Sequence, residues 1–366
     1  MEASSESIKI GKRQSFPAAP RVWGLKTVFV NLYFAANPDG SWVLVDTGIP
    51  GSAGKIKEVA AEIFGPDSKP SAIVLTHGHF DHTGAVKELA EEWDVPVYAH
   101  PMELPYLTGQ SSYPPPDPSV GGGAMAYLSF AYPKKPINIK NRVELLPTDG
   151  SVPGLEGWQW VHTPGHTPGH ISLFREEDRV LIVGDAFVTR HGESAIAVMT
   201  EKREVHGPPS YFTPDWGSAH HSVETLHDLN PEIAAAGHGM PMQGKELRQQ
   251  LERLVHDFWL VAVPKHGRYV HEPAVVDENG VISVPPPVVN PVPTVLAVAG
   301  AVAVAGLAWA VLNRRGNNRQ DDGDSKRSRR YSIQRPYSHN RPLRQTPPRA
   351  VDPDYDDPTE HTNNYP

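Results

Sequence analysis

The chain contains no cysteine in its 366 residues. No disulfide, thiolate nucleophile or thiolate metal site can form, so a transition metal would have to be held by histidine and carboxylate. Positive charge is in deficit: 34 Lys and Arg stand against 42 Asp and Glu, a formal net charge of −8. That balance gives no electrostatic footprint for nucleic acid, and no basic aromatic stripe compensates for it, so no nucleic-acid partner is expected. A serine-centred GxSxG elbow is also missing, which leaves acyl transfer through an activated serine without its usual motif. The opening residues lack the apolar core of a secretory signal. Long apolar runs are absent with one exception, residues 294–312, TVLAVAGAVAVAGLAWAVL. This run approaches the ~20 residues that cross a bilayer. Trp309 lies near one end and Arg314 and Arg315 follow it, as at a membrane interface. A single-pass membrane helix is expected there. Without an export signal, the folded body is expected in the cytoplasm behind this C-terminal anchor, although the two arginines alone would favour a cytoplasmic tail.

What remains divides as follows. Residues 1–20 read as a flexible leader and residues 21–270 as one catalytic domain. Residues 271–293 read as a hairpin and Pro-rich linker, 294–312 as the apolar helix, and 313–366 as a polar, aperiodic, disordered tail. Within the domain, TVFVNLYFA and SWVLVDTG read as strands, and GKIKEVAAEIF as a helix with Ile56, Val59, Ala60 and Ile63 on one face. SAIVLTHGH is a short buried strand, followed by the helix TGAVKELAEEW and the strand VPVYAH. Residues 101–140 read as a long irregular loop, of a kind that is usually functional or mobile. The second half repeats the style. Strands are expected in GWQWVHTPGH, HISLFRE, RVLIVGDAF and PEIAAAGHG, and helices in SAHHSVETLHDLN and GKELRQQLERLVHDFWL. Strands and helices mixed in this way suggest sheets inside and helices outside.

One stretch stands apart: THGHFDH, residues 76–82, puts His77, His79, Asp81 and His82 on a strand-to-helix turn. An isolated HxH is a weak signal, whereas HxHxDH at such a turn is a strong one. Three further positions share a property: each ends an apolar strand beside glycine. They are His166 in VHTPGHTPGH, Asp185 in VLIVGDAF and His238 in AAAGHGMP. Small neighbours let a metal and its ligands crowd against backbone. By spacing alone, His162 or His170 could serve in place of His166.

With Asp46 upstream and His166, Asp185 and His238 downstream, the HGHFDH motif resembles the metallo-β-lactamase-fold hydrolase superfamily, and most of all its glyoxalase II-like and lactonase-like branch. The resemblance covers roughly residues 22–260. It implies an α+β fold, a four-layer αβ/βα sandwich. It also implies that His77, His79 and His166 bind one metal, that Asp81, His82 and His238 bind a second, and that Asp185 bridges them. Asp46 would stand behind the histidine loop and fix it, and His170 would brace the site without ligating. Two zinc ions are the expected cofactors, with iron or manganese as substitutes. Two dications sharing a water lower its pKa, so that hydroxide attacks at neutral pH while the metals stabilise the oxyanion. Asp81 would move a proton as well as ligate.

The expected reaction is cleavage of an ester, thioester or lactone-type bond of a small molecule, with His206 and Tyr211 as candidates for contacting it. Two departures stand out. Quorum-sensing lactonases of this fold place a tyrosine shortly after the bridging aspartate, where this chain has Ala186, Phe187 and Val188. The basic residues that glyoxalase II uses for glutathione have only loose counterparts in Lys265 and Arg268. Two other readings are open: a single-iron persulfide dioxygenase built on His77, His166 and Asp185, and a membrane-tethered scaffold that does no chemistry. The oligomeric state cannot be read from these patterns.

Overall fold

The apolar runs on either side of the histidine-rich turn fold into two sheets. A computed structural model describes residues 15–121, 123–133, 135–190 and 203–288, all within the unit Met1–Leu307. The first sheet holds seven strands in chain order: β1 (Ser15–Ala19), β2 (Val22–Thr27), β3 (Val30–Ala36), β4 (Trp42–Val45), β5 (Ala72–Val74), β6 (Val97–Ala99) and β7 (Val143–Leu145). The first four meander antiparallel; β4 to β7 run parallel. Parallel pairing requires crossovers, supplied between β4 and β5 by α1 (Ala53–Phe64) and between β5 and β6 by α2 (Val86–Trp93).

The second sheet has the order β15-β14-β11-β10-β9-β8. Its strands are β8 (Ser151–Val152), β9 (Leu155–His162), β10 (Ile171–Arg175), β11 (Val180–Gly184), β14 (Ile233–Ala236) and β15 (Met242–Gln243). Between β11 and β14 the chain forms a small ribbon, β12 (Val188–Arg190) with β13 (Arg203–His206), and the helix α5 (Trp216–Asp228). After β15 comes α6 (Gly244–Val261), then the hairpin β16 (Val275–Asp277) and β17 (Gly280–Ser283).

Side-chain alternation sorts these elements into layers. On β3 and β4, Leu32, Phe34, Trp42 and Leu44 face outward into a core with Ile56 of α1 and Leu89 of α2. The intervening Tyr33, Ala35, Val43 and Val45 face the other way, packing against Trp158, Ile171, Leu173 and Ile182 of the second sheet. On that sheet's far side, Leu181, Val183, Ala234 and Ala236 meet Val223 and Leu226 of α5 and Leu251 and Phe258 of α6. Alternate residues of one strand thus serve two cores. The result is an α+β sandwich of four layers, αβ/βα.

Three local readings change. Ser15–Ala19 is not leader but strand β1, paired with β2. Only Ala18 of it is buried, so the segment carries no apolar alternation to betray it. The irregular stretch 101–140 contains α3 (Leu104–Leu107), α4 (Ala124–Leu128) and three single 3-10 turns, at Pro101–Glu103, Pro118–Val120 and Ser129–Ala131. These pieces are too short for helical periodicity to show. The strand read through Phe187 stops at Gly184, and β12 begins at Val188. The apolar run 294–312 and the tail 313–366 lie outside the described residues. Among the described residues no helix is long and apolar enough to cross a membrane.

The outer core of the first sheet centres on Trp42, 2% exposed and stacked on Phe64 with ring centres 4.5 Å apart. Its indole N–H donates to Ser68 Oγ at 2.9 Å. Trp42→Ala should lower unfolding free energy in urea by about 3–5 kcal/mol. Leu260→Ala, at a position 81% exposed, should change it by less than about 0.5 kcal/mol.

Candidate metal centre

The seven candidate donors come from four strand ends, two sheets contributing. β5 ends at Val74, and the chain turns through His77–Gly84 into α2. His82 N–H and Thr83 N–H both bond His79 O, at 3.0 Å each, which folds the turn tightly enough to gather its donors. Gly84 N–H donates to Gly48 O at 2.8 Å, and a Cβ at Gly84 would lie 2.2 Å from the backbone of Ile49 and Pro50. Any side chain there would push the ligand turn off the β4–α1 loop. From the second sheet come His166, in the β9–β10 loop, Asp185, just past β11, and His238, just past β14.

The donor atoms meet in three overlapping groups: His77, His79 and His166; His77, His82 and Asp185; and Asp81, His82 and His238. Within each group they lie within 4.8 Å of one another, and every member is buried. Asp185 Oδ2 lies 3.5 Å from His166 Nε2, 3.6 Å from His82 Nε2 and 3.1 Å from His238 Nε2, so it stands between the two histidine sets. Asp81 Oδ2 is 3.7 Å from His238 Nε2.

Hydrogen bonds on the outer ring nitrogens set the tautomers. Asp46 accepts Thr76 N–H on Oδ1, and both Thr76 Oγ1–H and His82 Nδ1–H on Oδ2, each at 2.8 Å. Thr76 Oγ1, with its proton aimed at Asp46, accepts from His77 Nδ1–H at 3.0 Å. His166 Nδ1–H points to Thr213 Oγ1 at 3.3 Å, whose own proton goes to Pro209 O. His238 Nδ1–H donates to Phe29 O at 3.0 Å. In all four rings the lone pair is therefore on Nε2, facing inward. His79 is turned round, with its Nδ1 3.0 Å from His166 Nε2. Either one ring lends the other a proton across that gap, or a cation takes both lone pairs.

The remaining polar atoms fit a cation. His77 Nε2, His82 Nε2 and Asp185 Oδ1 are buried with no hydrogen-bond partner, a costly arrangement unless a metal satisfies them. Burial holds His77 and His166 well below the usual imidazole range and brings His79 to about 3, so these rings are neutral donors. At His82 and His238 burial pulls the same way, but the Asp185 carboxylate outweighs it and both are raised. Burial lifts Asp185 too, yet His238 and His82 hold it well below the carboxylate range.

His170 is placed differently. Its Nε2 accepts Asp185 N–H and its Nδ1 meets Thr163 Oγ1, both at 2.8 Å. With both nitrogens engaged it braces Asp185 and has no lone pair left for a metal. His206 and Tyr211 line a cavity of about 410 Å³ that reaches His238, together with Phe29, Val188 and Arg190. Sequence reasoning passed over Thr76, Tyr113 and Phe212. The rings of Tyr113 and Phe212 flank His79 at 4.6 and 4.5 Å. Thr76 had a visible signal, a hydroxyl ending an apolar strand beside HxH; the two rings, 34 and 133 residues from His79, had none.

A sequence model of the metallo-beta-lactamase superfamily matches residues 25–238. The chain belongs to that superfamily. It is similar to the probable metallo-hydrolase YflN of Bacillus subtilis, 49% identical over 66% of this chain and 92% of that protein. It is 29% identical to the probable metallo-hydrolase YybB of the same organism, over 57% of this chain and 80% of that one. Among solved structures it resembles the BLEG-1 B3 metallo-beta-lactamase at 26% identity and a TM-score of 0.43, over 58% of this chain and 88% of that one.

Asp46 reaches two histidines of opposite sets, one directly and one through Thr76. Asp46→Ala should therefore weaken zinc binding about 10–100-fold. Competition with a chromophoric chelator measures this, and circular dichroism checks that the fold persists.

Proposed function

We propose that this chain is a binuclear metal-dependent hydrolase that cleaves an ester, thioester or lactone-type bond of a small molecule. The observation that carries this reading is the pair of complete donor sets sharing Asp185, with a cleft on either side. His77, His79 and His166 would hold one cation, and Asp81, His82 and His238 the other. Zinc suits this nitrogen-rich, sulfur-free set, and iron or manganese could take its place. When bound, a pair of such cations supplies hydroxide at neutral pH and a Lewis acid for the carbonyl oxygen. The similarity to YflN and YybB, both probable metallo-hydrolases, supports the same class.

The protein's own groups do the rest. A cleft opens beside His79. Phe80, Tyr106, Tyr113, Phe212 and Ile137 line it, and among the described residues Lys135 is its one charged member. This wall would seat an apolar part of the substrate. His206 and Tyr211, in the smaller cavity beyond His238, would contact the part across the scissile bond. Burial raises the Asp81 carboxyl above its ordinary value, which suits a group that accepts a proton from water and passes it to the leaving oxygen or sulfur.

Zinc-loaded protein should hydrolyse members of an ester, thioester and lactone panel, and EDTA should abolish that activity. Metal analysis should return two equivalents of cation per chain. Asp81→Asn should lower kcat by about 10²–10⁴-fold. Activity indifferent to EDTA would defeat the reading. One equivalent of iron, with oxygen consumed in the presence of glutathione persulfide, would replace it by the dioxygenase.

A further inference from the structure

The stretch read as an irregular loop holds a buried acid, Glu103, that the reaction described above does not use. It closes the 3-10 turn Pro101–Glu103 and has no solvent exposure. Its Oε2 accepts Gly78 N–H at 2.8 Å and the Tyr113 hydroxyl. Its Oε1 accepts Thr167 Oγ1–H at 2.7 Å and Gly169 N–H at 2.8 Å. Gly78 lies between His77 and His79; Thr167 follows His166. One carboxylate therefore ties the ligand turn of the first sheet to the ligand loop of the second. The two loops press closely onto it: a Cβ at Gly169 would fall 2.8 Å from Glu103 Cγ, and one at Gly78 would fall 2.5 Å from the Tyr113 hydroxyl.

We infer that Glu103 is a positioning residue that sets the spacing of His79 and His166, and with it the affinity of the cation held by His77, His79 and His166. The inference rests on the reading of those three histidines as one ligand set. His79 Nδ1 and His166 Nε2 stand 3.0 Å apart, yet they are carried by different sheets and have no covalent tie nearer than 87 residues. Glu103 spans that gap by hydrogen bonds to backbone on both sides, so neither loop can slide without breaking one. A carboxylate is the group this position needs, because each of its oxygens faces one backbone N–H that can only donate, Gly78 at Oε2 and Gly169 at Oε1. Glutamine has the same shape but places an N–H₂ against one of the two backbone N–H groups, neither of which can reverse its role.

The test uses the full chain, with zinc as probe and chelator competition as readout. A His238→Ala background breaks the set of Asp81, His82 and His238 and leaves the first set, that of His77, His79 and His166, whole, and there Glu103→Gln should weaken zinc about 10–100-fold, the range for groups that orient metal ligands. In a His166→Ala background, where the set of Asp81, His82 and His238 remains, the same substitution should change affinity by less than about threefold. If Glu103 served only to hold the fold together, both backgrounds would weaken alike, and that result overturns the inference. Unchanged affinity in the His238→Ala background also overturns it. Should Glu103→Gln fail to fold, Thr167→Ala decides: removing one donor from the His166 loop should weaken the first set about threefold, and no change refutes the proposal. If the unmodified chain binds no zinc, the hydrolase reading falls and takes this one with it. If the unmodified chain binds two equivalents and Glu103→Gln is silent, only the role of Glu103 is lost.

Discussion

Inward-facing lone pairs packed into a dry pocket repel one another unless a positive charge lies among them. This constraint organises the centre of the protein. Four imidazoles present Nε2, a fifth presents Nδ1, and two carboxylates lie among them, all buried. A protein could relieve such a cluster with protons, but burial works against protonating His77, His79 and His166. The backbone also closes tightly on Asp185, where a Cβ on Gly237 would lie 2.2 Å from Oδ1. A cation would satisfy the unpartnered Nε2 atoms of His77 and His82, and the outer hydrogen bonds of Asp46, Thr76, Thr213 and Phe29 make sense as the means of holding the rings ready for it.

The same constraint explains how the fold is used. Neither sheet carries a complete first set. The β5 turn supplies His77 and His79, and the second sheet supplies His166, so the set exists only where the two sheets pack face to face around the inner core. Direct bonds across that boundary support it: Asn31 Nδ2 and the Tyr33 hydroxyl of the first sheet both donate to Ala236 O, and Asn31 N–H donates to Gly237 O, two residues and one residue before His238. The loop bearing the last ligand is thus fastened to the opposite sheet by backbone acceptors that would otherwise be left bare at a strand end.

Much of this was legible in the sequence, and the reason is chemical. A metal-ligating side chain at a strand end leaves a local mark: an apolar run, then histidine or aspartate beside glycine. His77, His79, His166, Asp185 and His238 carry that mark, Asp81 and His82 are added by the HxHxDH spacing, and the order of strands and helices around them follows from apolar periodicity. What was not legible has a different character. Strand β1 pairs through its backbone with little side-chain burial. His170 has the same TPGH setting as His166, so spacing alone left the two open and only the family resemblance told them apart. Tyr113, Phe212 and Glu103 act across 34, 133 and 25 residues of chain, in segments whose turns are too short to leave a period.

Glu103 illustrates why such residues escape pattern reading and still matter. Burial drives its carboxyl upward and the donors around it, Tyr113 first, draw it back, leaving it at about 7. With a folded pKa raised above the ordinary value, this acid opposes folding as pH climbs from the usual carboxylate range toward 7, the reverse of a salt-bridged carboxylate. Its Tyr113 partner, stacked on Tyr106 with ring centres 3.8 Å apart, is also a wall of the larger cleft. The acid that joins the two ligand loops is therefore also joined to the surface against which a substrate would rest, which places its function at the site and not in the core.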